Sequence, residues 1–327
     1  MSAKPIEISV MILVLTSCND RTADRVVAEL GRRGEAVDRF DVADFPCRVT
    51  INAELHGRFG WRGWVKTEDG QVPLDQVKSI YYRRPTSFIF PDDVVGSDLA
   101  FAAAEARRGF GGLLFSLPAR WVNHPASVAD AEFKPAQLHV AVSCGLTTPR
   151  TLLTSDPNQA RIFCEAVEQG IVYKPLSAAN IVTDDEVQLV FTSKVFATDF
   201  DDIDLSLTMN LLQEWVPKRY DARVTVIGQR LFGVAIRAAS PDAYVDWRAD
   251  YASLRYEPID VPVCVSNGIS SYMNRFDLLY GAFDFAVTDD HWYFLECNAN
   301  GQFGWLEAET GLPITAAIAD LLAGVAA

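Results

Sequence analysis

Apolar positions in this chain fall into short runs divided by polar turns, and the most regular pair lies near the end. Residues 280–287 and 292–301 flank Thr288-Asp289-Asp290-His291, whose composition predicts a tight hairpin turn. Each run carries a carboxylate, Asp284 in the first and Glu296 in the second. Asn298 follows Glu296 by two residues, so strand geometry puts both side chains on one face. Three oxygen donors are therefore expected to converge. A buried carboxylate pair resists ionisation unless a cation sits between the two groups. Hard oxygen donors suit Mg²⁺, which normally also takes phosphate oxygens. A plainer alternative pairs one acid with a buried arginine and leaves the other solvated at a strand end.

Upstream, the apolar run 8–15 predicts a first buried strand. Asn19 or Asp20 is expected to cap a helix through about Arg33, ended by Gly34, and Val37 to Asp41 reads as a second strand. This β-α-β start predicts an open α/β layer. Its first turn lacks Gly-x-Gly-x-x-Gly, which argues against a dinucleotide site. Short antiparallel strands are expected over 48–67, and a strand 79–82 runs into Arg83, Arg84 and Pro85. Helices are expected over 97–117, over 127–143 with Lys134 in the middle and Pro135 disturbing it, and over 157–169. Strands follow at 152–153 and 171–175, then a hairpin over 181–196 with Val187, Leu189 and Phe191 facing one way, and an acidic loop 199–204. Gly228-Gln229 divides two further strands, and helices are expected at 265–279 and 313–325. Domain boundaries fall near 122 and 212, giving segments 1–122, 123–212 and 213–327.

With 327 residues, 49% of them apolar, the chain is long enough for two or three cores. A net charge of −14 argues against nucleic acid as the main partner. No apolar run is long enough to span a membrane, and the run 8–15 lacks a basic leader and a cleavage site. The six cysteines form no Cys-x-x-Cys pair and are expected to be reduced thiols in a cytoplasmic protein. Four scattered histidines give no zinc pattern.

A metal at Asp284, Glu296 and Asn298 would bring a triphosphate, whose remaining charge needs cations. Lys134 and Lys174 each stand in apolar surroundings, where an ammonium without an anion is costly. Arg223 and Arg237 interrupt otherwise apolar strands. Gln213-Glu214-Trp215-Val216-Pro217 is an extended linker of the kind that can pair its backbone with adenine while an acid holds sugar hydroxyls.

This ordered set resembles the ATP-grasp ligases. The spacing of twelve from Asp284 to Glu296 and the Glu296-x-Asn298 step are similar to the ribosomal-protein glutamate-ligase branch. Five segments resemble the ATP-grasp peptide maturases that make graspetides, the microviridin-like side-chain-linked peptides, with the actinobacterial maturases most alike. They are Tyr82-Arg83-Arg84-Pro85, Trp121-Val122-Asn123-His124-Pro125, Ala131-Glu132-Phe133-Lys134-Pro135, Val172-Tyr173-Lys174-Pro175-Leu176 and Asn298-Ala299-Asn300-Gly301-Gln302-Phe303. The resemblance spans about residue 11 to 323.

The resemblance implies an α/β (α+β) ATP-grasp fold. An N-terminal pre-ATP-grasp α/β domain (1–122) would precede a central subdomain (123–212) and a C-terminal subdomain with the metal site (213–327). It implies that Lys134 and Lys174 bind ATP phosphates, and that Glu214, Trp215 and Val216 form the adenine hinge, with Asp221 near the ribose. Arg223 and Arg237 would steady the γ-phosphate and an acyl-phosphate, and Asp284, Glu296 and Asn298 would bind two Mg²⁺. One of Arg83 and Arg84 is expected to present the substrate carboxylate. The implied partner is a precursor peptide with a leader and an acidic core, and a homodimer is an open alternative. The implied reaction activates an Asp or Glu side chain with ATP and closes a lactone or lactam ring with a Ser, Thr or Lys side chain. Two alternatives stand beside it: a ligase joining a free amino acid to a small acid, and a regulatory module that binds ATP without catalysis. The chain departs from many ATP-grasp enzymes in one respect, because residues 174–180 contain no glycine for a phosphate flap.

Overall fold

The computed structural model describes residues 10–177, 180–182, 187–189, 191–201 and 205–325. The start of the expected first strand, the turn of the 181–196 hairpin, the facing of Val187 and Leu189, part of the 174–180 segment and part of the acidic loop lie outside them. The chain divides into two compact units. The first is Met1–Pro125 with Gln302–Gly304 and Pro313–Ala327, and the second is Ala126–Gly301 with Trp305–Leu312. No helix among the described residues is long and apolar enough to cross a membrane.

The first unit opens with β1 (Met11–Leu15), α1 (Arg21–Arg32) and β2 (Ala36–Phe40). Asp20 caps α1 by accepting from the Thr22 and Ala23 N–H groups, and Gly34 follows the helix with φ +79°. Ala23, Val26 and Leu30 form the buried stripe of α1. A small antiparallel sheet of β3 (Thr50–Leu55), β4 (Trp61–Lys66) and β5 (Gln71–Pro73) precedes β6 (Val77–Tyr82), α2 (Gly96–Phe115) and β7 (Arg120–Val122). The main sheet has order β2-β1-β6-β7 and is parallel throughout. β1 reads Ile-Leu-Val-Leu through its buried residues because both of its faces are covered.

The second unit takes α3 (Pro125–Ala131) from its second residue onward, followed by α4 (Lys134–Ser143). The single helix expected over 127–143 is thus two helices. Pro135 has no N–H to donate and falls in the first turn of α4, so the chain restarts its helix there. Lys134 consequently opens a helix rather than sitting inside one. Next come β8 (Thr151–Thr154), α5 (Pro157–Glu165), β9 (Ile171–Lys174), a two-stranded hairpin of β10 (Asn180–Val182) and β11 (Val187–Leu189), β12 (Ser193–Val195) and β13 (Asn210–Glu214). Strands β12-β9-β13-β8 form an antiparallel sheet. The remaining elements are β14 (Tyr220–Ile227), β15 (Arg230–Ala238), α6 (Pro241–Val245), β16 (Leu254–Ile259), α7 (Val263–Arg275), β17 (Tyr280–Val287) and β18 (Trp292–Asn298). They build the antiparallel sheet β16-β15-β14-β17-β18. Its core face sends Val224, Val226, Phe283, Phe285, Phe294 and Cys297 against Val140 and Ala141 of α4 and Ile269 and Tyr272 of α7. That packing leaves the opposite face for polar groups.

Candidate active site

On the opposite face, Arg223, Asp284 and Glu296 line up across β14, β17 and β18. The alignment depends on a bulge. From the turn, Val287 pairs with Trp292 and Phe285 with Phe294, but Asp284 pairs with Glu296, leaving Leu295 over. Without that extra residue Glu296 would oppose Phe283 and project into the apolar core. Asn298 lies one step further, opposite Ala282, and its Nδ2 donates to Asp284 Oδ2 at 3.2 Å and Glu296 Oε1 at 3.4 Å.

Cations surround the acids. Arg223 Nη1 donates to both Asp284 oxygens, at 2.9 and 2.7 Å. Lys134 Nζ stands 3.5 Å from Glu296 Oε2, and Arg248 Nη1 stands 3.9 Å from Glu296 Oε1. Burial pushes the Glu296 carboxyl up, but Lys134, Arg248 and Lys174 together outweigh it and hold the group below the usual range. Burial pushes Asp284 up, and the neighbouring Glu296 adds to this against the pull of Arg223. Lys174, at the end of β9, is pushed down to about 8 by burial, partly offset by Glu296. Among the described residues, five cations (Lys134, Lys174, Lys218, Arg223, Arg248) thus face four carboxylates (Asp221, Asp246, Asp284, Glu296) around one partly open site. The buried Nε of Arg223 has no hydrogen-bond partner among the described residues.

The donor set suits a hard divalent cation. Two carboxylates and an amide oxygen, which Asn298 would present if its amide turned from the acids, match Mg²⁺ that completes its shell with phosphate and water. Among the described residues no group of three or more His, Cys, Asp and Glu side chains clusters as a metal site.

Glu214 ends β13, and Trp215 and Val216 follow it. Glu214 N–H donates to the Arg150 carbonyl at 2.8 Å and Trp215 N–H to the Gly170 carbonyl at 2.9 Å. The Trp215 ring lies under the Lys194 ammonium at 4.4 Å and near Lys218 at 5.5 Å, with Tyr244 edge-on. Asp221 is buried against Lys218 Nζ at 2.8 Å, and burial pushes its carboxyl up to about 6.

Two expected groups are placed elsewhere. Arg237 does not join the cluster: Arg223 pairs with Val234, so a residue three positions beyond Val234 projects from the other face. Arg237 instead lies over the Tyr220 ring at 4.6 Å and pairs with Glu257 at the surface. Arg83, expected as a carboxylate fork for substrate, is 3% exposed and committed within its own unit. Its Nε donates to Asp20 at 2.6 Å and its Nη2 to Gln302 at 3.0 Å. Arg84 is exposed.

Arg248 is a cation that sequence reasoning missed. It belongs to a short 3₁₀ turn, Trp247–Ala249, with no periodic signal. Buried Asp246 accepts from its Nε at 2.9 Å and its Nη2 at 2.7 Å, which aims Nη1 toward Glu296, and also accepts from the Thr192 N–H at 3.0 Å. The one available clue was Asp246-Trp247-Arg248 standing in an otherwise unassigned stretch.

Gly301 closes the site behind Arg223. The Tyr280 hydroxyl donates to its carbonyl at 2.6 Å, and a Cβ there would lie 2.7 Å from the Ala282 Cβ and 2.8 Å from Arg223 Nη2. Ala282 is fixed in a buried strand, so the Gly301 backbone must shift as well as the guanidinium, disturbing both the Tyr280 hydrogen bond and Arg223. If Arg223 stabilises a transferring phosphoryl group, Gly301→Ala is expected to lower ADP formation about 100-fold, equivalent to roughly 3 kcal/mol. A folded variant with wild-type ADP formation would show that this contact is dispensable.

An antiparallel sheet pair with lysines from one half and an Arg-Asp-Glu-Asn face on the other defines an ATP-grasp fold. Residues 11–129 match the sequence family described as the MvdD pre-ATP grasp domain. The structure is similar to the crystal structure of macrocyclase MdnC bound with precursor peptide MdnA from Microcystis aeruginosa MRC. The identity is 31% over 97% of this chain and 100% of that one, with a TM-score of 0.83. It is also similar to the Chryseobacterium gregarium RiPP-associated ATP-grasp ligase in complex with ADP and a leader and core peptide. There the values are 26% identity, 97% and 98% coverage and a TM-score of 0.88. Macrocyclase MdnB from Microcystis aeruginosa MRC follows, with 27% identity, 96% and 99% coverage and a TM-score of 0.79. No curated protein matches the chain by sequence. The chain belongs to the family of ATP-grasp macrocyclases.

Proposed function

We propose that this protein is an ATP-dependent macrocyclase of a ribosomally made precursor peptide, with an acidic core and a leader. The observation that carries the reading is the acid pair Asp284 and Glu296 with Arg223, Lys134, Arg248 and Lys174 around it, in a region where, among the described residues, cations outnumber carboxylates by one. Unneutralised buried positive charge is costly and calls for a polyanion. Membership of the macrocyclase family and the peptide-bound relatives support the choice of substrate.

In this reading Lys134 and Lys174 hold ATP phosphates, Glu214, Trp215 and Val216 hold the adenine, and Asp221 lies by the ribose. Segments 123–212 and 213–327 supply the two halves of the nucleotide site, and segment 1–122 precedes them. Asp284, Glu296 and Asn298 would hold two Mg²⁺, which neutralise phosphate oxygens as charge develops. An Asp or Glu side chain of the peptide attacks the γ-phosphorus, and ADP leaves with the electrons of the broken P–O bond. Arg223, through its unpaired Nε, and Arg248 steady the charge on the transferring group and on the acyl-phosphate. A Ser or Thr hydroxyl, or a Lys amine, of the same peptide then attacks the acyl carbon, gives up its proton and expels inorganic phosphate. The ring that closes is a lactone or a lactam.

The test incubates the protein with ATP, Mg²⁺ and short precursor peptides rich in Thr and in Asp or Glu. The proposal expects the peptide to lose the mass of one water per ring, with one ADP formed for each. Ligation of a free amino acid without change in the peptide would replace it with the small-acid alternative.

A further inference from the structure

Gln137 stands on α4 one turn after Lys134 and is 4% exposed. Its Oε1 accepts from the Cys297 N–H at 2.8 Å, and its Nε2 donates to the Cys297 carbonyl at 3.0 Å. The same Nε2 donates to the carbonyl of Ala131, the last residue of α3, at 2.5 Å. β18 is the edge strand of its sheet, so the Gln137 amide stands where the peptide of a neighbouring strand would. The two Cys297 groups it holds belong to the peptide units joining Cys297 to Glu296 and to Asn298. The Cys297 side chain is packed in the apolar core, so Glu296 and Asn298 project from the other face. One side chain therefore fixes the backbone on both sides of Cys297 and ties it to the helix that carries Lys134.

We propose that Gln137 is a positioning residue for the divalent cation, setting Glu296 and Asn298 in their places and fixing the reach of Lys134 to Glu296. The proposal rests on the reading of Asp284, Glu296 and Asn298 as the cation site. Apolar neighbours on α4, Val140 and Ala141, fill the same interface without any polar cost. An amide at this depth contributes orientation, which apolar packing does not supply. Groups that orient metal ligands from behind typically change metal affinity when removed.

The experiment titrates Mn²⁺ against the full-length protein with ADP present, reading free Mn²⁺ by electron paramagnetic resonance, and measures ADP affinity separately in EDTA. Gln137→Met keeps the length and loses all three hydrogen bonds. Gln137→Asn keeps the amide but is one methylene too short to hold Cys297 and Ala131 together. Both are expected to bind Mn²⁺ about 10- to 100-fold more weakly, with metal-free ADP affinity within about threefold of wild type. Unchanged Mn²⁺ affinity in a variant with a lowered Tm would overturn the proposal and make Gln137 a packing residue. Should Gln137→Met fail to fold, the Gln137→Asn titration decides alone. Wild-type protein that binds no Mn²⁺ with ADP would instead remove the cation site itself, a result distinct from equal binding by wild type and variants.

Discussion

Glu296→Gln and Asp284→Asn will each form ADP about 1,000-fold more slowly than wild type, because a charge-stabilising contact to the transferring phosphoryl group is worth several kcal/mol. The two variants will differ in stability. Lys134, Arg248 and Lys174 hold the Glu296 carboxyl below the usual range, so its charge contributes to the fold and its amide variant is expected to melt below wild type at pH 7. Asp284 is the direct partner of buried Arg223, but burial and Glu296 push its carboxyl up, so Asp284→Asn is expected to lose less stability than Glu296→Gln. Calorimetry and ADP release on the same samples separate these effects. Wild-type turnover by Glu296→Gln under saturating Mg²⁺ would refute the assignment.

The second large effect belongs to Lys174. Burial lowers its ammonium to about 8, so the charged form destabilises the apo protein. The sign follows from linkage. The folded state loses this proton before the unfolded state does, so stability rises with pH between about 8 and the ordinary lysine value of 10.5. Below that window the charge is a net cost, and Lys174→Met removes it while keeping the aliphatic stem. Lys174→Met is therefore expected to leave the apo Tm at pH 7 unchanged or higher, yet to weaken nucleotide binding about 10- to 100-fold. Bound polyphosphate favours the ammonium, so wild-type affinity should be flat below about pH 8 and fall above it, with proton uptake on binding. Titration calorimetry in two buffers of different ionisation enthalpy reads that uptake, and Lys174→Met should abolish it. A lower apo Tm with unchanged nucleotide affinity would make Lys174 a structural cation.

The β-α-β opening, the Gly228-Gln229 hairpin and the 280–298 hairpin were legible because each has a clean period and a turn signal. Gly228-Gln229 also held the information that excludes Arg237. Pairing counted from that turn puts Arg223 opposite Val234 and so puts Arg237 on the other face. The bulge at Leu295 was not legible. Strict alternation from the 288–291 turn would send Glu296 to the core, and no residue type at 294–296 signals an extra position. Arg83 shows a different limit. The strand end where it sits was readable, but its burial against Asp20, the cap of α1, is a long-range contact that no local pattern encodes. Arg248 and Gln137 escaped for the same reason, since their roles depend on partners 48 and 160 positions away in the chain.

The most direct measurement is a crystal of the protein grown with ADP and Mn²⁺, with anomalous data collected above the manganese absorption edge. The account predicts an anomalous peak within coordination distance of Asp284 and Glu296 and beside the ADP β-phosphate, with Lys134 and Lys174 on the phosphate oxygens. ADP bound with its phosphates away from these residues, or a manganese peak elsewhere with Asp284 still held only by Arg223 and Asn298, would contradict it.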